Sequence, residues 1–418
     1  MSALDLADPG FWQQPPAQRL AAFARLRQLD TPAFVAESTG SRRGYHALVR
    51  HADVVEASRK PDVFISGPGV TVPRPPRWVR FAFGDSMVNL DDPRHASLRG
   101  IVSKAFTPRM IAKTVENVGR VAAQIVDEVV DEVVDSVPGD FVESVATELP
   151  FRVICDMMGI PQEYRAEILQ HVNHTTENTG VAARRRLRVP GRSLRALARL
   201  HRIVARVGHE RRRHPTDDLI SALVTANVDG SRLNSRELGA FFSLLLVAGV
   251  ETTRNTIAHG LVLLSEHPAQ KELLLSDLDR YLGGFVEEVI RYSSPIIQFR
   301  RTVARDYELN GYPLRAGDDV VLFYTSANRD EAVFPEPDAF DLTRSPNPHV
   351  GFGGGGPHFC LGASLARQEL SVLFRELVTR LPDIRATGAP ELIPSSFDNR
   401  VGRLPFTVAP LGARKALT

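Results

Sequence analysis

The sequence contains very little cysteine, and its two copies, Cys155 and Cys360, cannot form a disulfide framework. It also lacks a run of apolar residues long enough to cross a membrane, because the longest, Phe241–Val250, is about half of the required length. The first residues carry neither the basic nor the apolar region of a secretory signal. We therefore expect a chain that is not exported, does not span a membrane and works in the reducing cytoplasm.

The charge of the chain is nearly balanced. The formal net charge is +2, charged residues make up 24% of the chain and hydrophobic residues 43%, which is ordinary for a soluble globular protein. A nucleic-acid-binding protein would carry a strongly basic domain, so we expect no nucleic-acid partner. No repeat, low-complexity tract or flexible linker divides the sequence, and we therefore expect one domain over residues 1–418.

The periodicity of the apolar residues predicts a mainly α-helical chain with a smaller β region. Thr107 and Pro108 provide an N-cap and a first-turn proline for a long amphipathic helix. Asn310-Gly311 predicts a hairpin turn, and residues 319–324 predict a further strand. Residues 66–94 are rich in proline and glycine and predict a loop held by apolar anchors.

One of the two cysteines has an unusual setting. Cys360 follows a loop in which five of the six residues Gly351–Gly356 are glycine, and it precedes a segment that predicts a helix. Such a loop lets the backbone approach a large flat group closely, and the positive end of the helix favours a thiolate. A thiolate is a metal ligand or a nucleophile. Cys155 has no such neighbours and predicts inert core packing.

The same loop contains a G-x-G-x-x-G pattern at Gly351, Gly353 and Gly356, which in another context would bind a dinucleotide. That function requires a strand that runs directly into the pattern, whereas residues 345–349 predict a proline-punctuated loop. No Gly-Lys-Ser/Thr follows, which excludes a Walker loop. The cysteine is therefore the chemically informative residue here.

Residues Phe352–Gly362 resemble the haem-binding loop of the cytochrome P450 family, in which Phe, Gly, a basic residue, Cys and Gly recur in that order. The resemblance implies that Cys360 is the axial thiolate on haem iron, that Gly356 and Gly362 make room, and that His358 takes the basic position. Phe352 lies eight residues before Cys360, one more than the commonest family spacing. The implied fold is the P450 fold, with haem b between a long central helix and the cysteine-bearing loop.

That central helix is predicted from Asn234, which can form a capping box with Glu237, to about His267, directly before Pro268. Within it, residues 248–253 read AGVETT and are similar to the oxygen-activation motif of the same family. A glycine near a threonine loosens the helical hydrogen-bond ladder and opens space for dioxygen and water.

The resemblance gives each residue of this motif a role. Ala248 and Gly249 lie against the cofactor, the Thr252 hydroxyl assists oxygen activation, and Glu251 relays protons. Taken alone, the same residues would also fit a kinked helix whose acid faces solvent. The presence of Cys360 downstream favours the functional interpretation.

His95 and Arg99 fall at i and i+4, on one face of a predicted helix. In the resembled family such a pair holds the haem propionates, and Arg301 aligns with a second propionate-binding arginine. Glu288 and Arg291 match the family's E-x-x-R. Most pairs at this spacing lie on the surface and contribute little, but the resemblance implies buried structural support for the loop before the haem site.

Arginine is concentrated in residues 184–213, which contain twelve arginines and one glutamate among regularly spaced apolar residues. Such a run usually forms the solvated face of a helix. Because family members place a lid over the pocket here, contact with an anionic substrate headgroup or a membrane surface is a second interpretation.

The predicted substrate pocket draws on apolar residues of three regions. They are Val70, Val72, Phe81 and Phe83 in the proline-rich loop, Leu244 on the central helix, and Ile296, Ile297 and Phe299 after the E-x-x-R helix. An apolar lining predicts a hydrocarbon ligand. The stretches HVGFGGGGPHFCLG, SANRDE and FRRTV also resemble actinobacterial, especially mycobacterial, members that hydroxylate methyl-branched lipids or sterol side chains.

We therefore expect a haem-thiolate monooxygenase that inserts one atom of O2 into a branched lipid, isoprenoid or sterol chain. The alternatives are oxidation of another hydrophobic metabolite or xenobiotic, peroxide-driven chemistry, and a non-catalytic haem protein. Glu251 and Thr252 favour the monooxygenase, since a ligand carrier has no use for a proton relay. No reductase sequence is fused to the chain, so we expect a monomer that receives electrons from a separate ferredoxin and its reductase.

Overall fold

Helices account for most of the chain in a computed structural model, which describes residues 6–37, 44–74, 86–105, 108–132, 139–176, 191–225 and 233–408. The helices of the N-terminal half are α1 (Pro9–Gln13), α2 (Pro16–Arg27), α3 (His51–Arg59), α4 (Arg94–Ala105), α5 (Pro108–Glu132), α6 (Glu148–Met158), α7 (Gln162–Thr176), α8 (Gly191–Arg213) and α9 (Leu219–Thr225). Those of the C-terminal half are α10 (Ser235–Leu245), α11 (Thr252–Glu266), α12 (Pro268–Ser276), α13 (Leu278–Ser293), α14 (Tyr324–Ala327) and α15 (Ala363–Arg380). Short 3-10 and π-helical turns lie at Met87–Asn89 and Val142–Ala146.

The predicted β region is present and small. A five-stranded sheet has the order β1 (Ala33–Val35), β2 (Tyr45–Leu48), β8 (Asp319–Phe323), β5 (Gln298–Val303) and β3 (Phe64–Ile65), in which only β2 and β8 are parallel. The remaining strands are β4 (Gly139–Asp140), β6 (Tyr307–Leu309), β7 (Tyr312–Leu314), β9 (Arg385–Ala386), β10 (Glu391–Ile393), β11 (Arg400–Arg403) and β12 (Pro405–Thr407). The turn between β6 and β7 is the predicted Asn310-Gly311 turn, and both residues have positive φ angles.

The regular spacing of its apolar residues explains why helix α5 forms. Val118, Val121, Ile125 and Val129 recur every three or four residues, and all four are buried. They join a core cluster with residues of α11, α13 and α15. This cluster fixes α15, the helix that follows the cysteine-bearing loop, against the C-terminal half of the central helix.

The central helix consists of α10, a π-helical segment (Leu246–Glu251) and α11. The predicted capping box is present, because the Asn234 side chain accepts from the Glu237 N–H and the Glu237 carboxylate accepts from the Asn234 N–H, each at 3.0 Å. Phe242 and Leu246 belong to one buried cluster, whereas residues of α11 belong to another. The π segment therefore lies where the two clusters meet, and it contains the AGVE part of the predicted motif.

Candidate active site

The loop that carries Cys360 is closed by a hydrogen bond from its backbone N–H to the carbonyl oxygen of Phe352, at 3.0 Å. Gly355 and Gly356 have positive φ angles of 91° and 74°, which side chains rarely adopt. A Cβ at Gly356 would also lie 2.2 Å from the carbonyl oxygen of Ser58, in α3. The turn and its close packing against α3 therefore account for these glycines.

The two cysteines differ in accessibility. Cys360 is exposed directly before α15, whereas Cys155 is completely buried in α6. Burial raises the pKa of the Cys155 thiol to about 12. Cys155 therefore stays protonated and acts as core packing, as predicted.

The ionisation of Cys360 corrects one expectation. Cys360 is exposed, but the protein atoms around its sulfur desolvate it and raise the pKa of the thiol, although the Gly362 N–H and the charges of Arg99 and Arg367 lower it. The helix N-terminus and the nearby arginines thus do not outweigh desolvation. A metal ion bound to the sulfur would deprotonate it outright.

Four basic side chains converge beside this loop. The imidazole rings of His95 and His358 stack, with centroids 4.2 Å apart and planes inclined by 37°. Arg99 Nη2 donates to the carbonyl oxygen of Phe359 at 2.8 Å. Arg301, buried in β5, is close enough for its charge to lower the pKa of His358. The structure thus brings together the three residues that the resemblance implied for the propionates, His95, Arg99 and Arg301, with His358 at the basic position before Cys360.

Burial and two nearby acids modify the charge of this basic cluster. Burial is the main cause that lowers the pKa of His358 to about 3. The charges of Arg301, His95 and Arg99 act in the same direction. Asp91 accepts two backbone N–H groups at 2.7 and 2.8 Å. Asp92, whose side chain is 55% exposed, lies 3.5 Å from His95 Nδ1. The lowered pKa leaves His358 neutral near pH 7, where it offers an N–H group, while Arg99 and Arg301 carry the positive charge that a group with two carboxylates would bind.

The π segment exposes part of the central helix. Val247 is 41% exposed and Ala248 is also exposed, although the flanking turns are largely buried. The Thr252 hydroxyl donates to the Ala248 carbonyl oxygen at 2.6 Å. A Cβ at Gly249 would lie 3.0 Å from the side chain of Ile154, so the glycine permits close packing against α6. The exposure of Val247 could not be predicted from the sequence, because nothing distinguishes this residue within an apolar run.

Glu251 lies in a buried group of charges rather than alone. It is 3% exposed, and its Oε2 lies 2.7 Å from Arg254 Nη2 and 3.8 Å from Arg400 Nε. Arg400 in turn binds Asp398. The i,i+3 spacing of Glu251 and Arg254 is readable from the sequence. The other two residues lie more than a hundred positions downstream, where no sequence pattern links them to Glu251.

The E-x-x-R pair is completely buried in α13, as expected. Arg291 makes two hydrogen bonds to Glu288, at 2.8 and 2.7 Å. Glu288 also accepts from the side chains of Arg344 and Asn347. The pair therefore joins α13 to the segment that leads into the cysteine-bearing loop.

The residues predicted to line the substrate pocket fall into two groups. Val70 and Ile297 are 2% and 1% exposed. Ile297 packs with the N-terminal helices, and the backbone of Val70 bonds to Arg300 and Asn89. The structure thus corrects their assignment to the pocket. The partly exposed members are Val72, Leu244, Ile296 and Phe299, whereas Phe81 and Phe83 lie outside the described residues.

The arginine-rich segment is described from residue 191 onward, as α8. Ile203 and Val204 are buried, and the helix packs against α10. Arg195, Arg202 and Arg206 are exposed on the opposite face. The described part of this segment is thus a solvated helix face.

Comparison with protein families identifies the class. The model of the cytochrome P450 family matches residues 62–382, and the chain belongs to this family. It is 41% identical over 416 residues, covering 97% of this chain and 95% of the relative, to a methyl-branched lipid omega-hydroxylase of Mycobacterium tuberculosis. It is 35% identical over 412 residues, covering 95% and 90%, to a steroid C26-monooxygenase of Mycobacterium bovis.

A solved structure agrees with this assignment. A Mycobacterium marinum cytochrome P450 in complex with pseudoionone superposes with a TM-score of 0.90 at 41% identity, covering 97% of this chain and 98% of that one. The predicted P450 fold and monooxygenase class are therefore confirmed. None of the helices in the described ranges is both long and apolar enough to span a bilayer.

Membership of the family implies a haem cofactor, and the residues present fit one. Cys360 offers an accessible sulfur, and the basic cluster of His95, Arg99, Arg301 and His358 suits two propionates. A Cβ at Gly362 would meet no heavy atom within 4 Å, so the space beside the sulfur is open. These residues thus provide a sulfur ligand for the iron and, beside it, hydrogen-bond donors for two carboxylates.

Proposed function

We propose that this chain binds haem b through the thiolate of Cys360 and hydroxylates a methyl-branched lipid, isoprenoid or sterol chain at or near its end. The observation that carries the proposal is the accessible Cys360 thiol beside the clustered donors His95, Arg99, Arg301 and His358. When bound, haem supplies the oxygen-activating chemistry, with the thiolate favouring cleavage of the O–O bond.

The residues of this chain would hold the cofactor from three sides. Cys360 ligates the iron, while His95, Arg99, Arg301 and His358 bind the propionates through charge-assisted hydrogen bonds. Ala248 and Gly249 border it on the central helix. Phe352 supports the loop, because its ring packs under the Arg367 guanidinium at 4.4 Å.

Thr252 and Glu251 would manage the protons that the reaction consumes. The Thr252 hydroxyl, partly exposed in the first turn of α11, donates to the Ala248 carbonyl oxygen and would reorient to donate a hydrogen bond into the site. Glu251 is buried one residue away, and desolvation raises the pKa of its carboxyl despite the charges of Arg254 and Arg400. A carboxyl whose pKa lies closer to neutrality is a better proton donor than an ordinary glutamate.

The substrate class rests on the apolar residues and on the relatives. Leu244, Val247, Ile296 and Phe299 offer partly exposed hydrocarbon surface. The relatives are named for methyl-branched lipid and steroid oxidation, and the pseudoionone complex is that of a structural neighbour. Burial contributes about 0.8 kcal/mol per methylene, so a long branched chain binds well without polar contacts.

The electrons would come from a separate ferredoxin and its reductase, and the other co-substrate is O2. Turnover with NAD(P)H should therefore require both proteins. Turnover by the purified chain and NAD(P)H alone would remove this part of the proposal.

A spectral titration of the purified holoenzyme tests the substrate class. Long methyl-branched lipids and sterols should shift the haem from low to high spin as they displace its water, and the product should carry oxygen at or near a chain end. Small polar aromatics serve as the comparison set. If these shift the spin state and the branched lipids do not, the lipid assignment fails.

A further inference from the structure

Four charged side chains form a buried cluster between the central helix and the C-terminal hairpin of β10 and β11. Glu251 and Arg254 come from the helix, and Asp398 and Arg400 come from the hairpin, with all four at most 8% exposed. Arg400 donates through Nε and Nη2 to the same oxygen of Asp398, Oδ2, at 3.1 and 2.7 Å. Its Nε also lies 3.8 Å from Glu251 Oε2. Arg400 therefore lies between the two carboxylates, with hydrogen bonds to Asp398 and a longer approach to Glu251.

The cluster contains polar atoms that the described residues do not satisfy. Both carboxylate oxygens of Glu251, Nε of Arg254, Nδ2 of Asn255 and Oδ1 of Asp398 are buried without a hydrogen-bond partner among them. The 2.7 Å contact between Arg254 and Glu251 is an ion pair whose N–H is not aligned on the oxygen. Buried polar atoms without protein partners are normally satisfied by internal water. Five such atoms around one buried group of charges are suited to hold internal water.

The hairpin is fixed to the helix around this site. The Val401 N–H donates to Asn255 Oδ1 at 3.3 Å, and the His259 ring lies 3.0 Å from the Asn399 carbonyl oxygen. The Asn399 side chain also donates to two carbonyl oxygens at the end of α13, at 2.9 Å each. Asp398 and Arg400 flank these contacts and so have a defined position relative to Glu251.

We propose that Asp398 and Arg400 are positioning residues for Glu251. Asp398 keeps Arg400 from forming an exclusive ion pair with Glu251, and water in the site beside them resupplies the proton of the Glu251 carboxyl. This rests on the proposed relay role of Glu251. The Glu251 carboxyl passes a proton towards Thr252 and regains one from water on the hairpin side, so that it returns to its starting state. If Arg400 bound Glu251 alone, the carboxylate would be held ionised and its return to the protonated form would be slowed.

The charges that face Glu251 act in opposite directions. Burial raises the pKa of its carboxyl, Arg254 and Arg400 lower it, and Asp398 raises it. Asp140 is an additional acid that acts on Arg254. Removing either member of the Asp398–Arg400 pair should therefore move the titration of Glu251, and the two changes should move it in opposite directions.

The test is a pH titration of the Glu251 carboxyl stretch by infrared spectroscopy of the ferric holoenzyme, with Glu251→Gln identifying the band. Asp398→Asn should move the midpoint to lower pH by about one unit, a tenfold change in the ionisation constant. Arg400→Met should move it to higher pH, and Arg400→Lys should restore it in part. In turnover, Asp398→Asn should also increase peroxide released per NADH consumed.

A role confined to stability would predict a different pattern. Asp398→Asn and Arg400→Met would then lower the unfolding temperature without moving the Glu251 carboxyl band in opposite directions. That result would overturn the proposal. Glu391→Gln is the matched control, because Glu391 pairs at 3.7 Å with Arg403 on the exposed part of the same hairpin. It should leave the band unchanged. An unchanged peroxide yield in Glu251→Gln would instead refute the relay role, while opposite band shifts would still support the positioning.

Discussion

Arg291 and Glu288 form a two-pronged ion pair with no exposed surface, in which Nε and Nη2 donate to the two carboxylate oxygens at 2.8 and 2.7 Å. The remaining donors of Arg291 bind the carbonyl oxygens of Asn328, Pro337 and Ala339 at 2.8 to 2.9 Å. The Asn328 side chain accepts from the Val350 N–H at 2.7 Å. The pair is therefore linked through Asn328 to the residue that precedes the glycine-rich loop.

Glu288→Gln should destabilise the protein strongly. The variant leaves the Arg291 guanidinium buried without a counter-charge, and breaking a buried pair in this way costs about 3–5 kcal/mol. Urea denaturation followed by far-UV circular dichroism measures the free energy of unfolding. We also expect lower haem content, because the pair holds the segment that leads to Cys360.

An exposed pair supplies the control for this experiment. Asp279 and Arg375 also join α13 to another element at 2.7 Å, but their side chains are 88% and 46% exposed. Asp279→Asn should therefore cost less than about 1 kcal/mol. If the two variants unfold at the same urea concentration, the buried pair contributes no more than a surface pair.

The parts of the site that the sequence predicts are those with local patterns. The capping box at Asn234, the hairpin turn at Asn310 and the shared face of His95 and Arg99 each depend on residues a few positions apart. Spacing and side-chain chemistry decide such features. The family resemblance then assigns functions to them.

Contacts between distant segments could not be predicted in this way. Ser58 contacts Gly356 across almost three hundred residues, and Arg400 approaches Glu251 across about one hundred and fifty. The burial of Ile297 likewise depends on the N-terminal helices that cover it. An apolar residue in the sequence can belong either to the core or to the lining of a pocket. Only its packing in the folded chain distinguishes the two.

Cys360→Ala should abolish the long-wavelength Soret band of the reduced carbon monoxide complex, because the proposed thiolate ligand is lost. Cys155→Ala should retain that band, since Cys155 is buried in α6 and burial raises the pKa of its thiol to about 12. Its expected effect is a loss of about 1 kcal/mol of stability from a small cavity. If Cys360→Ala retained the long-wavelength Soret band, the assignment of Cys360 as the haem ligand would be wrong.

Glu369 should make stability depend on pH. It is buried in α15, burial raises the pKa of its carboxyl to about 8, and a hydrogen bond with Thr253 opposes this only in part. The unfolded chain releases this proton near pH 4.5, so the folded state binds more protons between these values. The stabilisation is fully present below the lower value and is lost as the pH rises through the higher one.

Glu369→Gln should remove this pH dependence. The amide stays neutral, so the variant should gain stability relative to the wild type as the pH rises from about 5 to 8, by up to roughly 4 kcal/mol. Glu376→Gln, at a partly exposed position of the same helix, is the control. Equal slopes of unfolding free energy against pH in wild type and Glu369→Gln would contradict the prediction.

Thr252→Ala should separate haem binding from productive use of oxygen. The Thr252 hydroxyl bonds to the Ala248 carbonyl oxygen at 2.6 Å in the exposed π segment, so its removal leaves the cysteine loop and the basic cluster intact. We expect an unchanged haem spectrum and unchanged substrate-induced spin shift. The hydroxyl is proposed to act only after oxygen binds, so reducing equivalents should go to hydrogen peroxide, with product per NADH falling about tenfold or more.

Thr256→Ala distinguishes this effect from a general loosening of the helix. The Thr256 hydroxyl makes the same type of bond, to the Thr252 carbonyl oxygen at 2.8 Å, but it is buried one turn further along. Both variants lose one hydroxyl bond to the carbonyl oxygen four residues earlier, and their unfolding temperatures should fall to a similar extent. Only Thr252→Ala should release peroxide. Equal coupling in the two variants, measured as product and peroxide per NADH, would exclude Thr252 from the proton relay, because the bond to the helix backbone would then be its whole contribution.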